Sequence, residues 1–375
     1  MMNVELSRGQ LHLTPTREYW PLHDLLGFAE RINPKRAFLF VSKVLGRHIP
    51  VAPSEMRRAF SDLAAQIPDD LPEPILLIGM AETAVGLAAG VHQVLQQRYP
   101  NALFLATTRH PIDAPLLAEF REEHSHAPAH LLYGSNDPKI AAQLAATRTL
   151  ILVDDEASTG QTFINLTHAL RQSHLPNLTH VVTAVLADWA PPLQFAGLQH
   201  HAVNLLAGTW QWHATPNVPD PNMPVVDSVA VGAWPVTPQH TWGRTPTLTP
   251  RLELHATATA GERILVLGSN EFVWPPFLLA ERLAAQGAQV KFSATTRSPI
   301  ALGHSIQHCI AFSDHYGLGM PNFVYNVDPT AYDRIILAIE TDPAGVDPRL
   351  RAAIPQLEVI GFSATAAHEG NDHAD

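Results

Sequence analysis

One cysteine, Cys309, stands in 375 residues, so no disulfide can close within the chain. Cations are scarce too: 24 lysines and arginines face 35 aspartates and glutamates, for a formal charge of −11. A surface that tracks phosphate backbones is normally basic, so nucleic acid is not expected as a partner. No apolar run approaches the roughly 20 residues that cross a bilayer. The opening stretch MMNVELSRGQLHLTPTREYW lacks the apolar core of a secretory leader. No membrane partner is therefore expected, and a soluble cytoplasmic protein is the simplest reading. The 21 histidines form no HExxH motif and no paired Cys/His spacing, which argues against a zinc site. Charged residues make up only 16% of the chain, too few for long charged tails.

What is present is core-forming material, with a hydrophobic content of 46% over a length that exceeds one ordinary domain. Ala190 to Pro250 collects proline, tryptophan and histidine without a sustained helical period. Its prolines exclude long regular elements and its tryptophans call for burial, which predicts short strands and loops packed on both neighbours. The last residues, AAHEGNDHAD, read as a frayed tail. Elsewhere PILLIGM, ALFLATT, HLLYG, TLILVDD and HVVTAVLAD are short apolar runs of buried-strand type. TAVGLAAGVHQVLQQRY and PKIAAQLAA carry helical patterns between them. This alternation predicts an α/β fold, a mostly parallel sheet with helices on both faces, whose ligands bind beyond the carboxyl ends of the strands.

An internal repeat follows from self-comparison. ILLIGMAETAVGLAAGVHQVL from Ile75 and ILVLGSNEFVWPPFLLAERL from Ile264 share a strand, a glycine, a glutamate and a helix. FLATTRHPI and FSATTRSPI come next, with 27 residues from Glu82 to Arg109 and 26 from Glu271 to Arg297. HLLYGSNDP against NFVYNVDP, and TRTLILVDDEASTG against YDRIILAIETDPAG, extend the match more weakly. Matches in order at near-equal spacing favour a second, related α/β domain.

The segment LVDDEASTGQT ends an apolar run on Asp154 and Asp155, then turns through Ala157, Ser158, Thr159, Gly160, Gln161 and Thr162. Four apolar residues, an acidic pair and a small hydroxyl-rich loop fit the signature that binds phosphoribosyl pyrophosphate (PRPP) in type I phosphoribosyltransferases. The carboxylates suit the ribose hydroxyls, directly or through Mg²⁺ and its waters, and the loop at a helix start suits the 5-phosphate. Glu156 departs from that pattern, which usually continues with two apolar residues. It adds a third carboxylate or faces outward.

Gly79, Met80, Ala81, Glu82 and Thr83 stand where the pyrophosphate loop is expected. There Glu82 either caps the next helix or requires Mg²⁺ or a basic group beside it. Arg109 fits a mobile loop that closes a basic residue on the leaving group, the alternative being a surface arginine. Lys43, Arg47 and His48 lie in a β-rich hood and meet the acceptor, the phosphates or solvent.

Together, FVSKVLGRHIPV, GMAETAVG, TTRHPI, VDDEASTGQT and SATTRSPI resemble the orotate-phosphoribosyltransferase-like domain joined to a C-terminal TRSP domain. That domain takes its name from the motif standing here as Thr296, Arg297, Ser298 and Pro299. The resemblance covers nearly the whole chain. It implies a type I phosphoribosyltransferase-like domain over residues 1–215 with a hood over about 1–60, a Pro/Trp-rich connection over 216–257 and a TRSP domain over 258–375. It further implies a stress-response or tellurium-resistance operon setting, PRPP and a small-molecule acceptor as partners, and Mg²⁺ held indirectly by Asp154 and Asp155. Arg109, Asp154 and Asp155 would be catalytic, in making a nucleoside-like metabolite. A non-catalytic PRPP or nucleotide sensor is the alternative, and a homodimer is compatible. In the repeated half, Gly268, Glu271, Thr296, Arg297 and Ser298 outline a second site for the acceptor or product, the alternative being a degenerate copy that supports the fold.

Overall fold

The computed structural model describes residues 1–33, 36–120, 130–218, 232–236 and 242–362. Its main sheet orders the strands Met2–Leu6, Gly9–Glu18, Gln199–Ala214, His180–Asp188, Thr149–Ala157, Ile75–Gly79 and Leu103–Ala106 from edge to edge. The last five are mutually parallel, and the N-terminal hairpin closes one side antiparallel. The α/β class is thus realised, with a mostly parallel central sheet.

The apolar runs are continuous because both faces of this sheet are covered. Successive side chains point to opposite faces: Ile75, Leu77, Ile151, Val153 and Phe104 enter one core, while Leu76, Ile78, Leu150, Leu152, Leu103 and Leu105 enter another. Helix Gln161–Ser173 covers the second core through Phe163, Leu166 and Leu170. Helices Pro53–Ala64 and Val85–Leu95 cover the first.

A second, four-stranded parallel sheet orders Gln289–Ala294, Arg263–Gly268, Arg334–Ala338 and Leu357–Ile360. Its strands fill two cores by the same alternation. Ile264, Val266 and Ile336 point into the core that already holds Ile75 and Phe104, and Leu265, Leu267, Ile335 and Leu337 point away. Helix Trp274–Ala285 lies on the shared side, where Trp274 and Phe277 pack on Phe60. One apolar core therefore runs through both halves.

Several expectations need revision. HLLY is a strand, His130–Tyr133, yet it pairs antiparallel with Leu116–Phe120 outside the main sheet. Within Ala190 to Pro250 a 16-residue strand, Gln199–Ala214, forms after all. The stretch between Pro192 and Pro216 is free of proline, so nothing there interrupts a ladder. The expected hood divides: residues 2–18 extend the main sheet, and Leu26–Glu30 with Phe38–Ser42 form a separate hairpin. That hairpin and the turn after it join the second half. Ala301 donates to the Glu30 carbonyl at 2.9 Å, and Val51 and Phe292 exchange backbone bonds at 3.0 and 2.7 Å. The expected tail lies outside the described residues, as do residues 219–231 and 237–241 of the proline-rich stretch.

Gly90 sits where helix Val85–Leu95 crosses Phe60, and a β-carbon there would run into the buried ring. Alanine gains about 1 kcal/mol in helix propensity, but overpacking costs about 1–3 kcal/mol, and the fully buried ring among Trp274 and Phe277 has nowhere to yield. Gly90→Ala should lower the thermal midpoint by a few degrees in a calorimetric scan.

Candidate functional site

The strand Thr149–Ala157 carries the acidic pair within it, running on past Asp154 and Asp155 rather than ending there. Both aspartates are half-buried, and the Asp155 N–H donates to Asp154 Oδ1 at 2.8 Å. Burial raises the Asp155 carboxyl, as does neighbouring Glu156, while Asp154 and Arg47 oppose the rise. Glu156 accepts from Arg36 Nη2 at 2.7 Å, so this third carboxylate is held by a hood arginine that lies over Phe38. Among the described residues, no group of three metal-ligating side chains converges.

The loop after the pair turns on Gly160, whose φ of +71° opens the 13-residue helix Gln161–Ser173. Only glycine takes that conformation without strain, and Leu193 fills the space a β-carbon would need. The first N–H groups of a helix lack partners within it, so Ser158 to Thr162 combine exposed or half-buried hydroxyls with an electropositive backbone end.

The expected pyrophosphate loop is built differently. Gly79, Met80, Ala81 and Glu82 are buried, with Thr83 partly so. The Met80 N–H goes to the Val153 carbonyl at 3.0 Å and the Ala81 N–H to Thr107 Oγ1 at 2.8 Å. Those two donors are already satisfied internally. The Ala81–Glu82 peptide bond is cis. Glu82 is held by Arg47, which donates to its carboxylate at 3.3 Å and its carbonyl at 2.7 Å. Arg47 also donates to the carbonyls of Asn270 and Thr295, each at 2.7 Å, so a hood arginine ties one half to the other. His48 is buried beside Tyr325, and burial drives its imidazole down to about 3. Lys43 donates to the His23 carbonyl at 2.6 Å on the outer side of the hood.

Arg109 stands in an anchored segment rather than on the expected mobile loop. Its backbone N–H donates to Glu271 Oε1 at 2.7 Å, and its guanidinium lies 3.6 Å from Glu82. The preceding Thr108 donates its hydroxyl to Glu271 Oε2 at 2.6 Å. Glu271 thus crosses from the second half to grip the first.

The cation that answers Glu271 is Arg244, which sequence reasoning left out. It is 1% exposed and donates to Glu271 Oε2 at 3.2 Å, to Glu340 Oε1 at 2.7 Å and to Glu340 Oε2. Tyr316 adds its hydroxyl to Glu340 at 2.6 Å. Burial opposes the charge on Arg244, but the two carboxylates outweigh it and keep the guanidinium protonated. Burial alone would raise Glu271; the charged Arg244 and the Thr108 hydroxyl hold it below its ordinary range instead. One signal was readable beforehand: Arg244 is the sole lysine or arginine between Arg171 and Arg251.

Around this junction the same bonds occur twice. Thr107 donates to the Gly79 carbonyl and Thr295 to the Gly268 carbonyl, both at 3.0 Å. Thr108 exchanges bonds with Leu131 as Thr296 does with Phe323. The hydroxyl of Thr108 accepts from His110, and that of Thr296 from Ser298, at 3.1 Å in each case. Tyr133 accepts from Ile112 and Tyr325 from Ile300. Gly268, Glu271, Thr296, Arg297 and Ser298 are therefore gathered at strand ends that face those of the first half.

Residues 25–207 match the family described as Phosphoribosyl transferase, PRTase_2, and residues 237–351 match the TRSP domain described as C-terminal to it. No curated protein matches the chain. Solved structures similar to part of it include a hypoxanthine phosphoribosyltransferase variant from Trypanosoma cruzi complexed with the product IMP. It is 16% identical with a TM-score of 0.28, over 44% of this chain and 79% of that one. A hypothetical protein from Neisseria gonorrhoeae with bound ppGpp is 12% identical with a TM-score of 0.27, over 43% and 84%. A hypoxanthine phosphoribosyltransferase from Staphylococcus aureus is 14% identical with a TM-score of 0.25, over 43% and 79%.

Removing Arg244 strands two buried carboxylates, a loss of about 3–5 kcal/mol in comparable buried pairs. Arg244→Ala should lower the unfolding free energy by that amount in a denaturant titration, and adding Glu340→Gln should restore part of it. A single mutant as stable as the parent would show that the two halves do not depend on this ion pair.

Proposed function

We propose that this chain, which carries a PRTase_2 phosphoribosyl transferase domain joined to a TRSP domain, transfers phosphoribose from PRPP to a nitrogen of a base-like acceptor and releases pyrophosphate. The observation that supports this best is the pairing of Asp154 and Asp155 with a loop turned by left-handed Gly160 into a helix start. In this reading Ser158 to Thr162 hold the 5-phosphate with hydroxyls and N–H groups. Asp154 and Asp155 accept from the ribose 2- and 3-hydroxyls. The hard carboxylate oxygens of Asp154 and Asp155 suit Mg²⁺, which keeps several waters and takes its other ligands from substrate. The metal would neutralise charge on the departing pyrophosphate.

Two guanidiniums, Arg47 and Arg109, share the single carboxylate of Glu82. In this reading they flank the loop where the leaving group gains negative charge, and such electrostatics and positioning favour an oxocarbenium-like transition state. Met80 and Ala81 take no part as donors. Synthesis of a nucleoside-like metabolite in a tellurium-resistance or stress-response setting completes the reading.

The second half is, on this view, a degenerate duplicate, supported by its matching strand order and paired hydrogen bonds. Its counterpart of the acidic loop is Glu340, bound to Arg244 and Tyr316, followed by the short 3₁₀ turn Pro343–Gly345. No PRPP pocket forms from those groups.

Asp155→Asn should weaken PRPP binding by roughly tenfold to a hundredfold, the worth of one charge-assisted hydrogen bond, as measured by calorimetry with Mg²⁺. Unchanged affinity would remove the site. With PRPP, Mg²⁺ and a panel of bases, the parent should release pyrophosphate; binding without release would leave a sensing role. Arg109→Ala should lower turnover by about 10²–10³ with a much smaller change in PRPP affinity, and equal losses in both would make it a plain binding residue.

A further inference from the structure

Arg297 breaks the twofold pattern. Its counterpart Arg109 lies 3.6 Å from Glu82, the glutamate of its own half. The repeat would give Arg297 the matching Glu271, but Glu271 is taken by Arg244, the Thr108 hydroxyl and the Arg109 N–H. Among the described residues no carboxylate comes within 4.0 Å of Arg297, although only 6% of the residue is exposed. Its Nε and Nη1 meet no acceptor, and Nη2 has one long contact of 3.5 Å to His110 Nε2.

The imidazoles nearby supply no countercharge. Burial holds His110 well below its ordinary range and takes His315 down to about 3, with Arg297 adding to both. An unpaired buried guanidinium costs several kcal/mol, and nothing in the packing described above offsets it. Arg47, Arg109 and Arg244 all have carboxylates.

A surface cleft opens on the far side of His110, lined by His110, Pro111, Trp234, Pro235, Val236 and Tyr316, together with Gly232. His110 lines this cleft on one side and touches Arg297 on the other. Its ring lies 4.1 Å from that of Tyr316, and His315 lies 4.1 Å from the same tyrosine. Flat aromatic and proline walls with a buried cation behind them are the features of a pocket for a planar acid.

We propose that Arg297 is the anion-holding end of a second ligand site between the halves, which takes a small planar ring bearing a carboxylate or a phosphate. The ring lies in the cleft against Tyr316 and Trp234, and the oxyanion reaches past His110 to Nε and Nη1. This site is separate from the one built on Asp154 and Asp155, and it stands whether or not that one takes PRPP.

Thermal midpoints of the full chain with benzoate and with phenyl phosphate test the proposal. At least one probe should raise the midpoint by about 2–4 °C at concentrations well above its Kd; benzoate alone points to a carboxylate and phenyl phosphate alone to a phosphate. Arg297→Gln should abolish the rise and, without probe, melt at or above the parent because an unpaired buried charge is gone. Thr162→Val, which alters only the first-half loop, should keep the rise. No rise with either probe, or a rise that Arg297→Gln retains, overturns the site. A rise lost in Thr162→Val instead overturns it too, while leaving the phosphoribosyl reading intact. If Arg297→Gln melts below the parent, Arg297→Lys decides: it must recover part of the rise, and failure to do so also rejects the proposal.

Discussion

The arrangement depends on one buried carboxylate reaching across a boundary. Glu271 belongs to the second half, yet its oxygens bind the Thr108 hydroxyl and the Arg109 N–H of the first. Two sheets could share an apolar core in many orientations, since apolar burial has no direction. A carboxylate with three partners from separate segments has few. Arg244 makes it tolerable by placing a guanidinium between Glu271 and Glu340. The strand ends of the halves consequently meet face to face, and every polar feature of the junction follows from that registration.

The same registration changes what the repeat can do. Two equivalent loops cannot both face a common seam and both stay open to a large anionic ligand. In the first half Gly79 to Glu82 are buried, while Ser158, Thr159, Gln161 and Thr162 stay exposed or half-buried. The hood contributes by joining the edge of the second sheet, which is how Arg47 reaches Asn270 and Thr295.

How much of this was legible depended on the range over which the cause acts. Strands such as Ile75–Gly79 and Thr149–Ala157 were readable because burial on both faces makes apolar runs continuous. Repetition was readable because matched spacing survives divergence, and the paired threonine bonds show which positions kept their geometry. Asp154, Asp155 and Gly160 were readable as a local pattern. The role of Arg244 was not, because its partners are 27 and 96 residues away and only its isolation from other cations marked it. The strand Gln199–Ala214 was obscured by prolines at both ends that flank it without entering it. The burial of Met80 could not be foreseen from the loop itself, because its core neighbours Leu76, Leu105 and Phe163 come from separate strands and a helix.

The hood's attachments have a consequence for synthesis on the ribosome. The Phe28 N–H donates to the Ser305 hydroxyl, 277 residues later, and the His48 carbonyl accepts from Asn326, 278 residues later. Contacts this distant are slow to form because loop closure must come first. The hairpin Leu26–Glu30 with Phe38–Ser42 emerges early but meets the edge it joins only when nearly all of the chain has been made. Until then its apolar side and the helix faces awaiting Trp274 and Phe277 are uncovered, the condition in which nascent chains associate wrongly. Nascent molecules of this protein should therefore lean on chaperones for most of their translation, and premature termination before the last sheet should yield insoluble fragments rather than a smaller working unit.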